Sequence, residues 1–242
     1  MKEPRPLPPS ISALIEVTIM FAPGLPAYMW LWPNITGTKW NTPVQVLVYI
    51  YFLAGTLGIG LRRWDLKTLG LKVSGWKLSA ACGLALISAQ VLIILSMNWD
   101  LDLEPPGVAQ LAWKAVYYIG AVGLVEELLF RGLVYHALQE WRGVRWAIIG
   151  SSLSFGLYNI GWMGPFGALG TAFIGLIFAL IRWHAGSILG LIFIHGLMDI
   201  ISLELLTALE LYKSGIPQVT HRFTFCAGYI LFIAVPIFLG LI

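Results

Sequence analysis

The class of fold follows from residues 121–132, Ala121-Val-Gly-Leu-Val-Glu126-Glu127-Leu-Leu-Phe-Arg131-Gly132. It places two carboxylates and a guanidinium in an otherwise apolar run. A charged side chain at the centre of a membrane helix costs about 2.5 to 3.5 kcal/mol on the insertion scale, so these groups need partners inside the protein. Glu127 and Arg131 are four residues apart on one helical face, and we expect them to form an ion pair. Glu126 points about 100° away from that face and is left without this partner.

The composition of the whole chain agrees with a membrane setting. Of the 242 residues, 58% are hydrophobic and only 11% are charged, whereas about a quarter of the residues of a soluble domain are charged. The net charge of +3 comes from basic residues scattered between apolar runs, which argues against a nucleic-acid partner. The sequence predicts an all-α protein, a polytopic integral membrane bundle that forms a single transmembrane domain over residues 1–242.

Apolar runs separated by polar residues, proline or glycine predict about eight transmembrane helices. The predicted spans are Ile11–Leu31, Pro43–Leu61, Trp76–Met97, Val108–Leu138, Arg145–Ile160, Phe166–Trp183, Ser187–Leu206 and Phe223–Ile242. Lysine and arginine accumulate in short cytoplasmic loops. Most of the basic residues fall on one side if the N-terminus is cytoplasmic, so both termini are predicted to face the cytoplasm.

Two further spans carry polar side chains. His195 and Asp199 lie four residues apart in the seventh span and can bind a metal or orient a water. The fifth span contains Asn159, four residues after Phe155. From the helical rise alone, Glu126, Asn159 and His195 lie roughly 18, 21 and 12 Å deep from the cytoplasmic ends of their helices, which permits a shared site.

Each of these residues also has a purely structural interpretation. Arg131 fits a buried ion-pair network that ties helices together, His195 fits a core histidine bonded to Asp199, and Asn159 fits an interhelical hydrogen bond. The adjacent glutamates favour function instead, because one arginine cannot neutralise both and a like-charged pair suits general-base chemistry.

Together these residues resemble the CAAX-protease and bacteriocin-processing family of intramembrane metalloproteases, also called the Abi or CPBP family. Its first motif, Glu-Glu-x-x-x-Arg, is complete here at Glu126, Glu127 and Arg131. Its third motif appears as His195 with Asp199, and the approach Arg182-Trp-His-Ala-Gly-Ser-Ile-Leu is also similar. The likeness covers about residues 116–205, the expected catalytic core. The second motif, Phe-x-x-x-His, departs from the family pattern, since Asn159 follows Phe155 where the family has histidine.

The resemblance implies an intramembrane endopeptidase that cleaves a peptide or protein substrate with a membrane-associated segment. It implies that Glu126 activates the attacking water and that Arg131 is a structural cation. Glu127, Asn159, His195 and Asp199 complete the implied catalytic set. The implied cofactor is a divalent metal, Zn²⁺ in the family pattern. On the hypothesis that Asp199 supplies the missing ligand, the metal set is Glu127, His195 and Asp199.

The sequence allows two other functions. The first is a catalytically impaired relative that acts as a membrane binding or scaffold protein, or as an immunity factor, an alternative raised by the asparagine at position 159. The second is a transporter or proton relay, because carboxylates inside the membrane serve those functions too.

Overall fold

The structure is a computed structural model that describes residues 7–23, 34, 38, 41–96 and 107–201. The eighth predicted span, Phe223–Ile242, lies outside the described residues, as do the far ends of the first and seventh spans. Within the described ranges the chain is helical and has no β-strand. The all-α class predicted from the sequence is thereby confirmed for this part of the chain.

The described residues form seven helices, numbered here in chain order. They are α1 Pro9–Phe21, α2 Asn41–Leu61, α3 Trp76–Ser96, α4 Val108–Arg142, α5 at residues 144–163, α6 at residues 165–185 and α7 Leu189–Asp199.

Three helical segments are long and apolar enough to cross a membrane, namely Pro43–Leu61, Val108–Arg142 and Met163–Ala185. The segments Pro9–Phe21, Trp76–Leu92 and Leu189–Asp199 are apolar but shorter. A membrane protein is therefore supported, whereas a count of eight spans is not confirmed by the described residues.

Large apolar side chains cover much of the outer surface of the helices. Examples that are at least half exposed are Leu47, Ile50, Val116, Leu157 and Phe193. Soluble proteins rarely expose large apolar patches. Such an outer surface suits contact with lipid chains rather than water.

Helix α4 has an uneven backbone around the charged stretch. It is π-helical at Val116–Gly123 and again at Leu128–Val134, and the short α-helical segment Leu124–Glu127 between them carries the two glutamates. Wide π-helical turns are uncommon and occur often at functional sites. The unusual backbone and the charge pattern thus both point to Glu126 and Glu127.

Helices α5 and α6 form a tight antiparallel hairpin. Gly164 has φ 67° and ψ 177°, a conformation that favours glycine, and Pro165 follows it as the start of α6. A Cβ atom on Gly156 would lie 2.7 Å from the carbonyl oxygen of Ala168, so the two helices touch backbone to backbone. The predicted break between the fifth and sixth spans is therefore confirmed, at Gly164.

Helices α4 and α7 approach each other just as closely, and this contact positions the candidate site. A Cβ atom on Gly123 would lie 2.4 Å from the carbonyl oxygen of Ile192, and one on Gly196 would lie 2.5 Å from the Cα of Ile119. Gly123 is one turn before the glutamates and Gly196 follows His195. Because neither glycine has a side chain, the charged residues on the two helices can meet.

Four apolar clusters fill the remaining interior of the described residues. One joins α1, α2, α4 and α5, and another joins α3, α6 and α7. Just after the end of α2, Arg62 and Arg63 form ion pairs with Glu16 of α1.

Arg182 fixes the end of α6 to the loop after α2. Its Nε donates to the carbonyl oxygen of Arg131 at 3.2 Å, and its Nη2 donates to that of Thr68 at 3.2 Å. The same side chain thus contacts the loop and the π-helical part of α4.

Candidate active site

Glu127 and Arg131 form the buried ion pair expected from their spacing. Arg131 Nη1 lies 3.0 Å from Glu127 Oε1, and both side chains are fully buried. The guanidinium carbon of Arg131 also lies 4.3 Å from the ring centroid of Phe155 on α5 and 5.3 Å from that of Phe178 on α6. The aromatic faces favour a cation between them, so Arg131 ties three helices together.

His195 on α7 contacts the same carboxylate. Its Nδ1 lies 2.7 Å from Glu127 Oε1. A carboxylate paired with arginine is an acceptor only, so the hydrogen bond assigns a proton to Nδ1. Glu127 therefore orients the imidazole and leaves Nε2 to face the opposite side.

Glu126 lies on that opposite side of the imidazole. Its Oε2 is 3.6 Å from His195 Nε2, and its Oε1 accepts a hydrogen bond from the hydroxyl of Tyr49 at 3.5 Å. Glu126 and His195 are each less than a tenth exposed. The carboxylate without an arginine partner thus sits beside the imidazole in a nearly enclosed position.

Asp199 also approaches His195 Nε2. Its Oδ2 lies 3.7 Å away, and about a quarter of the Asp199 side chain is exposed. Glu126, from α4, and Asp199, from α7, therefore share one side of the imidazole, while Glu127 occupies the other.

Asn159 lies on α5 one turn after Phe155. Its amide donates to the carbonyl oxygen of Phe155 at 2.9 Å, and the residue is nearly buried. The ring of Phe155 packs edge-on against His195, with centroids 5.8 Å apart. Phe155 of α5 thus contacts the imidazole. Asn159 lies one turn further along the same face of that helix.

The predicted metal set does not fit this arrangement. A metal binds one nitrogen of an imidazole at about 2.0 to 2.1 Å, with all ligands directed to one point. Here Glu127 is hydrogen-bonded at Nδ1, whereas Asp199 lies on the Nε2 side. Over the described ranges, no three His, Cys, Asp or Glu side chains are arranged to hold a metal ion. The steps proposed below therefore use no metal.

Several residues around the site have no place in the motifs from which the site was predicted. Phe178 stacks beside Arg131 and packs against His195, and Arg182 holds the backbone of Arg131. Tyr49 comes from α2, far from the motifs in sequence. The only sequence signal for Tyr49 is a weak polar repeat in an apolar run, Asn41, Gln45 and Tyr49, at intervals of four residues.

Comparison with known proteins supports the family resemblance. Residues 108–201 match the model of a family described as type II CAAX prenyl endopeptidase Rce1-like. This range includes Glu126, Glu127, Arg131, Asn159 and the His195–Asp199 pair, and excludes α1, α2 and α3. The match confirms the resemblance to the CAAX-protease family, on less than half of the chain. No curated protein and no solved structure matches the chain.

Proposed function

We propose that this protein is an intramembrane endopeptidase that hydrolyses a peptide bond of a membrane-associated substrate. The observation that carries the proposal is the pairing of Glu126 with His195, 3.6 Å apart and nearly buried, within the segment matched by the endopeptidase family. An adjacent carboxylate and imidazole are the groups that a general-base hydrolysis needs.

The first step is water activation by Glu126. Glu126 Oε2 and His195 Nε2 lie 3.6 Å apart, and one water can contact both atoms. Glu126 takes a proton from this water as its oxygen attacks the carbonyl carbon of the substrate. The new C–O bond gives a tetrahedral oxyanion.

The second step is collapse of the oxyanion. His195 Nε2, when protonated, donates a charge-assisted hydrogen bond to the developing negative charge. The C–N bond then breaks, and the proton held by Glu126 passes to the leaving amine. Glu127 and Arg131 contribute by holding the imidazole in one orientation through Nδ1.

The burial of the site supports this chemistry in a second way. Little bulk water reaches Glu126, because the residue is nearly buried. Electrostatic interactions are stronger where water is excluded than in bulk water. A substrate segment in the membrane reaches such a site between helices, without first leaving the lipid.

The experiment is cleavage of a library of membrane peptides by the purified protein, including C-terminal tails with and without a prenyl group. Glu126→Gln removes the general base and should abolish cleavage. Glu140→Gln is the matched control, because Glu140 lies near the end of the same helix, is partly exposed, and bonds Trp64 rather than the site. Equal cleavage by the wild type and Glu126→Gln would refute the proposal.

A second function is favoured by one observation at Asn159. Its amide is engaged with the backbone of its own helix, and an amide cannot replace imidazole as an acid or base. The alternative is a non-catalytic relative that binds a membrane peptide or a partner at the same site. Peptide binding by both the wild type and Glu126→Gln, without products from either, would favour this alternative.

We also propose that the loop at residues 62–75 faces the cytoplasm, together with both chain termini. The support is its content of basic residues, Arg62, Arg63, Lys67 and Lys72. In a variant with Cys82 and Cys226 changed to serine, Lys67→Cys should react with an impermeant maleimide only from the cytoplasmic side. Labelling from the outer side would show that the loop faces the opposite side of the membrane.

A further inference from the structure

The two oxygens of Glu126 have different neighbours. Oε1 accepts from the Tyr49 hydroxyl at 3.5 Å, and Oε2 faces His195 Nε2 at 3.6 Å. A carboxylate held through one oxygen cannot rotate freely about its last side-chain bond. The contact with Tyr49 therefore directs the other oxygen toward the imidazole.

Tyr49 is itself held in place by a chain of contacts. Its ring packs edge-on against Tyr117 of α4, with centroids 6.0 Å apart. The Tyr117 hydroxyl donates to Gln45 Oε1 at 2.7 Å, and Gln45 Nε2 donates to Asn41 Oδ1 at 3.2 Å. Asn41, Gln45 and Tyr49 lie along one face of α2 at intervals of four residues, so α2 presents a polar face to α4.

The position of Tyr49 also sets it apart from the motif residues. It lies outside residues 108–201, so the matched family segment does not supply it. Without Tyr49, Oε1 would lose a hydrogen-bond donor at a site where the carboxylate is nearly excluded from solvent. An unpaired buried acceptor is costly, which gives the contact an energetic basis.

We propose that Tyr49 is a positioning residue for Glu126, whose hydroxyl holds Oε1 so that Oε2 faces the reacting water. This inference rests on the proposed function, in which Glu126 is the general base. It adds α2, a helix outside the matched segment, to the parts of the chain that build the site.

The kinetic test compares Tyr49→Phe with Tyr51→Phe. Tyr49→Phe should lower kcat about tenfold and leave KM unchanged, because one positioned hydrogen bond is worth about that factor. Tyr51 is the matched control, since its hydroxyl donates to the carbonyl oxygen of Met20 at 2.9 Å, away from the site. Tyr51→Phe should leave kcat unchanged. An unchanged kcat for Tyr49→Phe would overturn the proposal.

A double-mutant cycle measures the contact independently of cleavage. We expect Tyr49→Phe to lower the thermal midpoint in detergent by about 2 to 4 °C in the wild type. The same change in a Glu126→Leu background should lower it little, since the hydroxyl no longer has a carboxylate to hold. Tyr51→Phe should have the same effect in both backgrounds. Equal losses for Tyr49→Phe in the two backgrounds would overturn the proposal.

The two measurements separate this inference from the proposed function. If the wild type cleaves no peptide, the proposed function fails, and the cycle alone decides whether Tyr49 holds Glu126. If the wild type cleaves and Glu126→Gln does not, the kcat of Tyr49→Phe decides whether that contact serves catalysis.

Discussion

Glu127 Oε1 lies 2.7 Å from His195 Nδ1, although the two residues are 68 positions apart in the chain. The same oxygen is 3.0 Å from Arg131 Nη1. One buried carboxylate oxygen thus joins the cation of its own helix to the imidazole of another. The remaining carboxylate of the pair, Glu126, lies on the Nε2 side of that imidazole.

The ion pair leads to a prediction about stability. Arg131→Met should lower the free energy of unfolding by about 3–5 kcal/mol, because it leaves the Glu127 carboxylate buried without its cation. Adding Glu127→Gln should recover most of this loss, since the buried charge is removed as well. Thermal or denaturant unfolding in detergent measures both variants. A double variant no more stable than Arg131→Met would contradict the assignment.

The close contact of α4 and α7 predicts a sharp difference between two glycines of one helix. A Cβ atom on Gly123 would lie 2.4 Å from the carbonyl oxygen of Ile192, whereas one on Gly120 would meet nothing within 4 Å. Gly123→Ala should cost about 1–3 kcal/mol and reduce cleavage, because overpacking forces the helices apart. Unfolding and cleavage assays on the purified variants measure both effects.

Gly120→Ala is the matched control for that experiment. Alanine is favoured over glycine within a helix by about 0.5–1 kcal/mol, so this variant should be as stable as the wild type or slightly more stable. Comparable losses of stability and cleavage in the two variants would show that the contact at Gly123 does not position the site.

The contacts of the candidate site agree with the sequence better than the number of spans does. The four-residue spacings gave the Glu127–Arg131 pair, and the polar residues in apolar runs pointed to α4, α5 and α7. The sequence did not reveal which carboxylate would meet which imidazole nitrogen, because that depends on the glycine contact between α4 and α7. Tyr49 was missed for a related reason, since the polar repeat of Asn41, Gln45 and Tyr49 is too weak to indicate a site until its neighbours in space are known.

The asparagine at position 159 leads to a prediction of increased activity. An imidazole can carry a proton and donate a charge-assisted hydrogen bond, which is roughly twice as strong as the neutral bond of an amide. Asn159→His should therefore raise kcat about tenfold, by about 1.4 kcal/mol of added transition-state stabilisation. Steady-state cleavage of one peptide measures the change, with Asn159→Leu as the apolar control. A histidine variant that cleaves more slowly than the wild type would contradict the prediction that a charged donor at position 159 stabilises the transition state.

The separation of the carboxylates around His195 leads to a prediction about metal. The predicted ligands Glu127 and Asp199 approach opposite nitrogens of the ring, so chelators should leave cleavage unchanged. Elemental analysis of the purified protein should find well below one zinc per chain. Stoichiometric zinc that is lost in Asp199→Ala would instead establish the Glu127, His195 and Asp199 set as a metal site.

The origin of the oxygen in the product tests whether Glu126 activates the attacking water. Cleavage in water enriched in oxygen-18 should place one labelled oxygen in the new carboxyl terminus, as mass spectrometry of the peptide fragments would show, and Glu126→Gln should give no labelled product. Fragments without label, or labelled fragments produced equally by Glu126→Gln, would contradict hydrolysis by a water that Glu126 activates.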